Sequence, residues 1–184
     1  MSDLAGKQQA VNAAVVTVSD TRQEATDTSG RYLKEQLEAA GHRVLRKVII
    51  NDDLYRLRAL IAGLIADAEV QVILVTGGTG FTHRDNTVNA ITPLLDKTID
   101  GFGEVFRYLS YQEIGSSTIQ SRAFAGISND TLVCCVPGST GACRTAWEGL
   151  IAQQLDSRHK PCHFVDKLKP VEMSSVAGEG ADAQ

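Results

Sequence analysis

Val70-Gln71-Val72-Ile73-Leu74-Val75-Thr76, followed by Gly77-Gly78-Thr79-Gly80 and then Phe81-Thr82-His83-Arg84-Asp85, is the stretch that decides the fold. Its first part is short, apolar and rich in β-branched residues, and reads as a buried strand. The glycines carry no Cβ, so the backbone can turn sharply and a ligand can approach it. Polar and charged side chains come next, at Thr82, Arg84 and Asp85. A buried strand that runs into a glycine turn and then into polar residues is where open α/β sheets bind ligands.

Working outward, other apolar runs repeat this design. Ala13–Val18 reads as a first strand and ends in Ser19-Asp20-Thr21-Arg22. Asp27-Thr28-Ser29-Gly30 caps a helix whose stripe is Leu33, Leu37 and Ala40 and which stops at Gly41. Val44–Ile50 is a second strand, and Asn51-Asp52-Asp53 caps a helix carrying Leu54, Leu57, Ile61, Leu64 and Ile65 at helical spacing. Beyond the glycine loop, Val88, Ile91, Leu94 and Leu95 predict a short helix interrupted by Pro93. Asp100-Gly101 reads as a turn, and Phe102–Gln112 as a helix with Phe102, Val105, Phe106 and Leu109 on one side. Ala123–Ile127 and Thr131–Val136 flank Ser128-Asn129-Asp130 and predict a hairpin. Pro137-Gly138-Ser139 then opens a helix bearing Ala142, Ala146, Trp147, Leu150 and Ile151.

Strands alternating with helices predict an α/β fold, a three-layer α/β/α sandwich with a mainly parallel sheet and a short antiparallel part. The expected organisation is a flexible arm over residues 1–12, one domain over 13–168, and a disordered tail over 169–184, whose end is rich in Gly, Ala, Ser and Glu. The 184 residues are enough for one substantial core. A net charge of −4 argues against nucleic acid or an anionic membrane surface as partner. No apolar run approaches the ~20 residues of a spanning helix, and Met1–Ala10 lacks the apolar centre of a secretory signal. The four cysteines form no CxxC pair, and Cys134 and Cys135 adjoin in an apolar run, which fits reduced thiols in a cytoplasmic protein.

Several groups gather at the expected strand ends. The glycine loop is not a dinucleotide fingerprint, because His83 stands where the third glycine would fall, and it is not a P-loop, because no Gly-Lys-Ser/Thr follows. A lone Gly-Gly-Thr-Gly is as readily a tight turn. The second loop, Pro137-Gly138-Ser139, tips the balance: it too follows a buried strand and opens a helix, where free N–H groups attract anions. Two such ends point to a phosphorylated ligand. Asp85 and Asp52 are each readable as helix caps or as carboxylates for Mg²⁺, an ion that takes oxygen ligands and keeps waters. Glu104 and Arg107 read equally as an i, i+3 surface pair. No histidine shows metal-ligand spacing, and Trp147 reads as core.

The ordered set Thr17-Val18-Ser19-Asp20, Asp27-x-Ser29-Gly30, Thr76-Gly77-Gly78-Thr79-Gly80 with Arg84-Asp85-x-Thr87, Gly101-Phe102-Gly103-Glu104 with Arg107, and Pro137-Gly138-Ser139 resembles the MoaB/MogA family of molybdenum cofactor biosynthesis proteins, in particular its bacterial MoaB type. The resemblance spans roughly residues 13–168. It implies a homo-oligomer, trimeric or hexameric, and molybdopterin as substrate. In catalytic members it implies adenylylation with Mg²⁺ and ATP, with other cofactor-biosynthesis proteins as further partners. It places catalytic, metal-holding aspartates at Asp52 and Asp85. Substrate contacts fall at Ser19, Asp20, Gly77, Gly78, Thr79, Gly80, Arg84, Glu104, Pro137, Gly138 and Ser139, with Arg84 neutralising phosphate charge. The alternative is a non-catalytic molybdopterin carrier or scaffold using the same pocket. One departure stands out: where members often continue with Pro-Glu-Ala, this chain has Val88-Asn89-Ala90.

Overall fold

The computed structural model describes residues 6–171. Six strands form one sheet in the order β2-β1-β3-β6-β5-β4. They are β1 (Asn12–Val18), β2 (Arg43–Ile50), β3 (Val72–Thr76), β4 (Lys97–Thr98), β5 (Phe124–Ser128) and β6 (Thr131–Val136). The pairs β1–β2, β1–β3 and β3–β6 are parallel, whereas β5 runs antiparallel to both β6 and β4. The α/β reading therefore holds, with a mixed sheet whose antiparallel part lies on one side.

Alternation along the central strands divides the core into two layers. Ala13, Val15, Leu74, Leu132 and Cys134 face one way, against α1 (Thr28–Ala39), α4 (Asp100–Ile114) and α5 (Thr140–Ala146). The helix begun by α5 continues through a π-helical turn at Trp147–Ile151 and a last turn at Ala152–Gln154. Ala14, Val16, Ile73, Val75, Val133 and Cys135 face the other way, against α2 (Leu54–Ala66) and α3 (Thr87–Ile91). Adjacent residues on a strand point to opposite faces, so Cys134 and Cys135 are separated by the sheet. Both are free, and burial alone pushes the Cys134 thiol up to about 12.

The helix caps follow from short polar side chains. Asp27 accepts from Gly30 N–H at the start of α1, Asp53 from Tyr55 and Arg56 at the start of α2, and Ser139 from Ala142 at the start of α5. Gly41, at φ +83°, ends the α1 segment. Pro93 sits in the first turn of a 3-10 segment, Thr92–Leu94, that follows α3, and Arg58 donates to the carbonyls of Asn89 and Ala90 behind it.

Three expectations need correction. Asp100-Gly101 is the first turn of α4, not a free turn, and α4 runs to Ile114. Its buried side is Gly103, Phe106 and Ser110, while Val105 faces solvent. β4 was not expected at all; it is two exposed residues pairing with Gly126 and Ile127. The chain ends are also tied more closely than expected. Gln8 donates to Ala40 O at 3.1 Å, Gln9 N to Ser157 Oγ at 2.8 Å, and Val11 is fully buried. Lys169 Nζ donates to the carbonyls of Ile65 and Asp67. Residues 1–5, and the expected tail from Glu172 on, lie outside the described residues.

The β5–β6 hairpin closes on two residues, Asn129 and Asp130, both at positive φ (47° and 52°). That is the turn whose twist matches the strands, but it holds Asp130 in the left-handed region. Asp130→Gly is expected to raise stability by on the order of 1 kcal/mol, read as a higher urea midpoint at unchanged slope.

Candidate functional site

The crossover through α1 carries the chain from β1 to β2 on one side, and the next crossover returns it to β3 on the other. The C-terminal ends of β1 and β3 therefore flank a topological switch point, where ligand clefts form in such sheets. A cavity of about 440 Å³ opens there. Its floor is Thr76–Gly80, one wall is Thr17, Val18, Ser19 and Arg22, and another is Pro137–Ser139. Helix α4 and the turns after it close the remaining side with Phe106, Ser110, Thr118 and Ser121. The lining is hydroxyl-rich with a few apolar faces, a composition suited to a polar ring bearing an anionic group.

The floor depends on glycine at two positions. Gly77 has φ +104°, and a Cβ there would lie 2.2 Å from Val18 O. Gly78 has φ +63°, and its Cβ would lie 2.4 Å from Thr87 Oγ1 and 2.8 Å from Asp52 Oδ2. Thr87, at the start of α3, locks the turn: its Oγ1 donates to Gly77 O at 2.7 Å and its N to Gly78 O at 3.0 Å. The Thr76 hydroxyl donates to Pro137 O at 3.0 Å, tying the floor to the opposite loop.

The carboxylates converge from three segments. Asp85 accepts from Gly80 N at 3.0 Å and from the N and Oγ1 of Thr82 at 2.7 Å each. Asp52 accepts from Asn86 N at 3.0 Å, and its own N–H donates to Asp20 at 3.1 Å. Arg84 pairs with Asp20. Burial alone would raise the pKa of Asp85, but the Thr82 and Gly80 hydrogen bonds, with the Arg122 charge, outweigh it and hold the group below the usual carboxylate range. The hydrogen bond from Arg84 does the same for Asp20. Asp52 moves the other way: burial raises its pKa, hydrogen bonds from Asn86 oppose the rise, and the charges of Asp85 and Asp20 add to it. Three acids are thus close enough to feel one another.

Across the cavity sits a second charged network. Arg22 donates to Ser29 Oγ at 2.7 Å and to Gly138 O at 2.8 Å. Behind it, Asp27 is fully buried and accepts from Thr17, Gly30 and Lys47. Burial would raise the Asp27 pKa, but those partners, Lys47 foremost, hold it low.

Of the residues expected at the site, Ser19, Gly77, Gly78, Thr79, Gly80, Asp85, Pro137, Gly138 and Ser139 line one cavity. Asp52 lies just behind Gly78, and Asp20 and Arg84 sit on the outer rim beside it. Arg84 is thus turned onto Asp20 rather than into the cavity. Glu104 is not brought to this cavity: it lines another, of about 240 Å³, with Arg107 and Arg122. α4 presents Phe106 and Ser110 to the main site, and Glu104 falls on a different face of that helix. Two residues were missed. Arg22 was read as part of a polar turn, although its place at the end of β1 was a usable signal. Arg122 precedes an apolar run, and nothing local in the sequence marks it.

The donor set suits a hard cation. Asp52 and Asp85 offer oxygen only, and the raised pKa of Asp52, due first to burial and then to the charges of Asp85 and Asp20, marks a carboxylate whose charge a cation would offset. Among the described residues no three His, Cys, Asp or Glu side chains are grouped to hold a metal. Two carboxylates therefore fit an ion that keeps waters and shares a phosphate ligand, as Mg²⁺ does. No helix among the described residues is long and apolar enough to cross a membrane.

An α/β domain with a glycine-floored, carboxylate-edged cleft at its switch point is a binder of phosphorylated small molecules in design. A family model described as "Probable molybdopterin binding domain" matches residues 14–157, and the chain belongs to that family. It is 53% identical over 156 residues to the molybdenum cofactor biosynthesis protein B of Escherichia coli strain K12, covering 85% of this chain and 92% of that protein. The protein of the same name from Bacillus subtilis strain 168 is 46% identical over 154 residues, covering 81% and 90%. Among solved structures, a crystal structure of molybdenum cofactor biosynthesis protein B superposes with a TM-score of 0.79 at 44% identity, covering 82% of this chain and 94% of that one. The tungsten cofactor synthesizing protein MoaB from Pyrococcus furiosus gives 0.70 at 35% identity, covering 77% and 91%.

The Asp52 shift has a consequence for stability. Burial above all raises its folded-state pKa above the ordinary aspartate value, so the fold carries a penalty that is absent below that ordinary value and is complete once pH has risen through the folded-state value. Asp52→Asn keeps an acceptor for Asn86 and removes the charge. In metal-free buffer it is expected to melt a few degrees above the unmodified protein at pH 7, with the gap closing toward pH 3. A gap independent of pH would show that charge is not its cause.

Proposed function

We propose that this protein binds molybdopterin and adenylylates it with Mg²⁺ and ATP. The terminal phosphate oxygen of the pterin attacks the α-phosphorus of ATP. A new P–O bond forms to AMP, the bond to the bridging oxygen breaks, and pyrophosphate leaves. The observation that carries this reading is the meeting of Asp52 and Asp85 at the edge of the Gly77–Gly80 floor, with Pro137–Ser139 opposite.

The chemistry asks little of the protein beyond placement and charge control. A phosphate monoester is already an anionic nucleophile, so no activated serine or strong base is required. Asp52 and Asp85 would hold Mg²⁺, which supplies charge neutralisation on the phosphates. The glycine floor lets the phosphate chain lie against the backbone. Ser19, Thr79 and Ser139 offer polar groups around the cavity, and Arg22 faces it with a cation that Arg84, paired to Asp20, does not supply. Phe106 and Ala142 give a flat ring an apolar surface.

Incubation with molybdopterin, ATP and Mg²⁺ is expected to release pyrophosphate. Asp85→Asn is expected to slow release by on the order of 100-fold. Pterin binding without pyrophosphate would assign a carrier instead. That second reading draws on one observation: the Asp85 carboxylate is already engaged by three donors within its own loop.

The same reading includes a homo-oligomer, trimeric or hexameric. Val105, Tyr108, Tyr111 and Ile114 recur at helical spacing on α4 and are 42–66% exposed, and Ile119 just beyond is 73% exposed. An apolar stripe of this kind marks a protein contact. Tyr108→Arg is expected to lower the mass found by sedimentation equilibrium; an unchanged mass would place the contact elsewhere.

A further inference from the structure

Residues 79–85 leave the sheet, turn over the cavity edge and return, and they carry Asp85. Within the loop, the Asp85 carboxylate supplies most of the closure, through Gly80 N and Thr82, beside one backbone bond from Asp85 N to Thr82 O at 3.1 Å. This poses a physical problem for the proposed chemistry. A carboxylate that turns its oxygens toward a cation gives up part of its hold on those amides, and a loop held only by that carboxylate would loosen as it went to work.

Arg122 meets the same loop from outside the cavity. Its backbone N–H donates to Thr79 O at 3.2 Å, and its Nε lies 3.4 Å from the same carbonyl. Its Nη2 donates to Asp85 O at 2.9 Å. Its guanidinium carbon lies 5.1 Å from the centroid of the Phe81 ring at the crest of the loop. One side chain thus spans both ends of the loop and covers its middle, and the planar, multi-donor guanidinium is suited to that reach. All of these contacts go to backbone or to Phe81, so the Asp85 carboxylate is left to the cavity side. Arg122 lies two residues before β5, which pairs along its length with β6.

We propose that Arg122 is a positioning residue that buckles the 79–85 loop from behind, so that the Asp85 carboxylate can change partners without the loop opening. It touches neither the main cavity nor the reacting groups; its side chain lines the second cavity, with Arg107 and Glu104. The proposal rests on the adenylyl-transfer reading for its purpose and on geometry alone for the buckle.

The test uses the full chain with Arg122→Ala and Arg122→Gln. By hydrogen exchange, the peptide covering residues 79–86 is expected to exchange faster in both variants, with peptides of β1 and β3 unchanged. The Mg²⁺ concentration for half-maximal pyrophosphate release is expected to rise roughly tenfold, with the KM for the pterin little altered. The second cavity opens beside the deleted side chain, so millimolar guanidinium is expected to restore slow exchange and the Mg²⁺ response in Arg122→Ala. Wild-type exchange over 79–86 in a folded variant overturns the proposal, as does a folded Arg122→Ala that guanidinium does not rescue. Should Arg122→Ala fail to fold, Arg122→Gln decides: it keeps the stem but cannot span both carbonyls, and wild-type behaviour in it overturns the proposal. An unmodified protein that releases no pyrophosphate removes the adenylyl-transfer reading by itself, while the exchange pattern still decides the buckle.

Discussion

The approach of Gly77 to the carbonyl of Val18 is the constraint on which the site depends. β1 and β3 are parallel neighbours, and their ends come so close that any side chain at residue 77 would overlap the β1 backbone. Left-handed backbone at Gly77 and Gly78 then turns the chain across the end of the sheet instead of away from it. Everything at the carboxylate edge follows from that turn. Thr87 can reach back to both glycine carbonyls, α3 starts where it does, and Asn86 is set down on Asp52. A larger residue at 77 would have to displace backbone, and backbone in the middle of a parallel sheet has little freedom to move.

Much of this was legible from pattern. The buried strands announced themselves as short apolar runs, and alternation explains why Cys134 and Cys135 sit in different layers. The hairpin and the Asp27, Asp53 and Ser139 caps were readable because their chemistry is local, although Ser128, read as part of the turn, is the last residue of β5. What escaped depends on contacts remote in sequence. β4 has two exposed residues and exists because Gly126 leaves room: a Cβ there would lie 2.6 Å from Lys97 O. The α4 stripe was misassigned because Val105 looks like core by type, whereas small residues, Gly103 and Ser110, share the buried side with Phe106. Arg22, Arg84 and Arg122 could not be told apart by sequence. One faces the cavity, one pairs with Asp20 and one holds a loop, and only the fold distributes them.

The three aspartates at the carboxylate edge show how one environment separates chemically identical groups. Asp20 has Arg84, and Asp85 has the amides of its own loop; both are held in the charged form. Asp52 has Asn86 but is the more buried and feels both other charges. It is therefore the acid whose charge is least compensated. A structural protein would gain by replacing such a group, because an under-compensated buried charge is a liability. Its place beside the glycine floor would give it a use under the proposed function, since a cation brought there by a phosphorylated ligand would supply the missing compensation.

The opposite side of the cavity solves the reverse problem. Arg22 is half-buried, and a buried cation without a partner is costly. Asp27 lies 3.6 Å from it, but Asp27 is itself wholly buried and shared with Lys47 at 2.8 Å. Glu24, mostly exposed, also pairs with Lys47 at 2.7 Å, so two carboxylates balance two cations there and Arg22 is left with a partner it shares. The two sides of the cavity therefore differ, with an under-compensated carboxylate at Asp52 on one and a guanidinium at Arg22, balanced from behind, on the other. Under the proposed function, a ligand with phosphate at one end would meet the Arg22 guanidinium, and a cation carried at its other end would offset the Asp52 charge. A neutral ligand of the same shape would engage neither group, so on that reading charge as well as shape would select what this cleft holds.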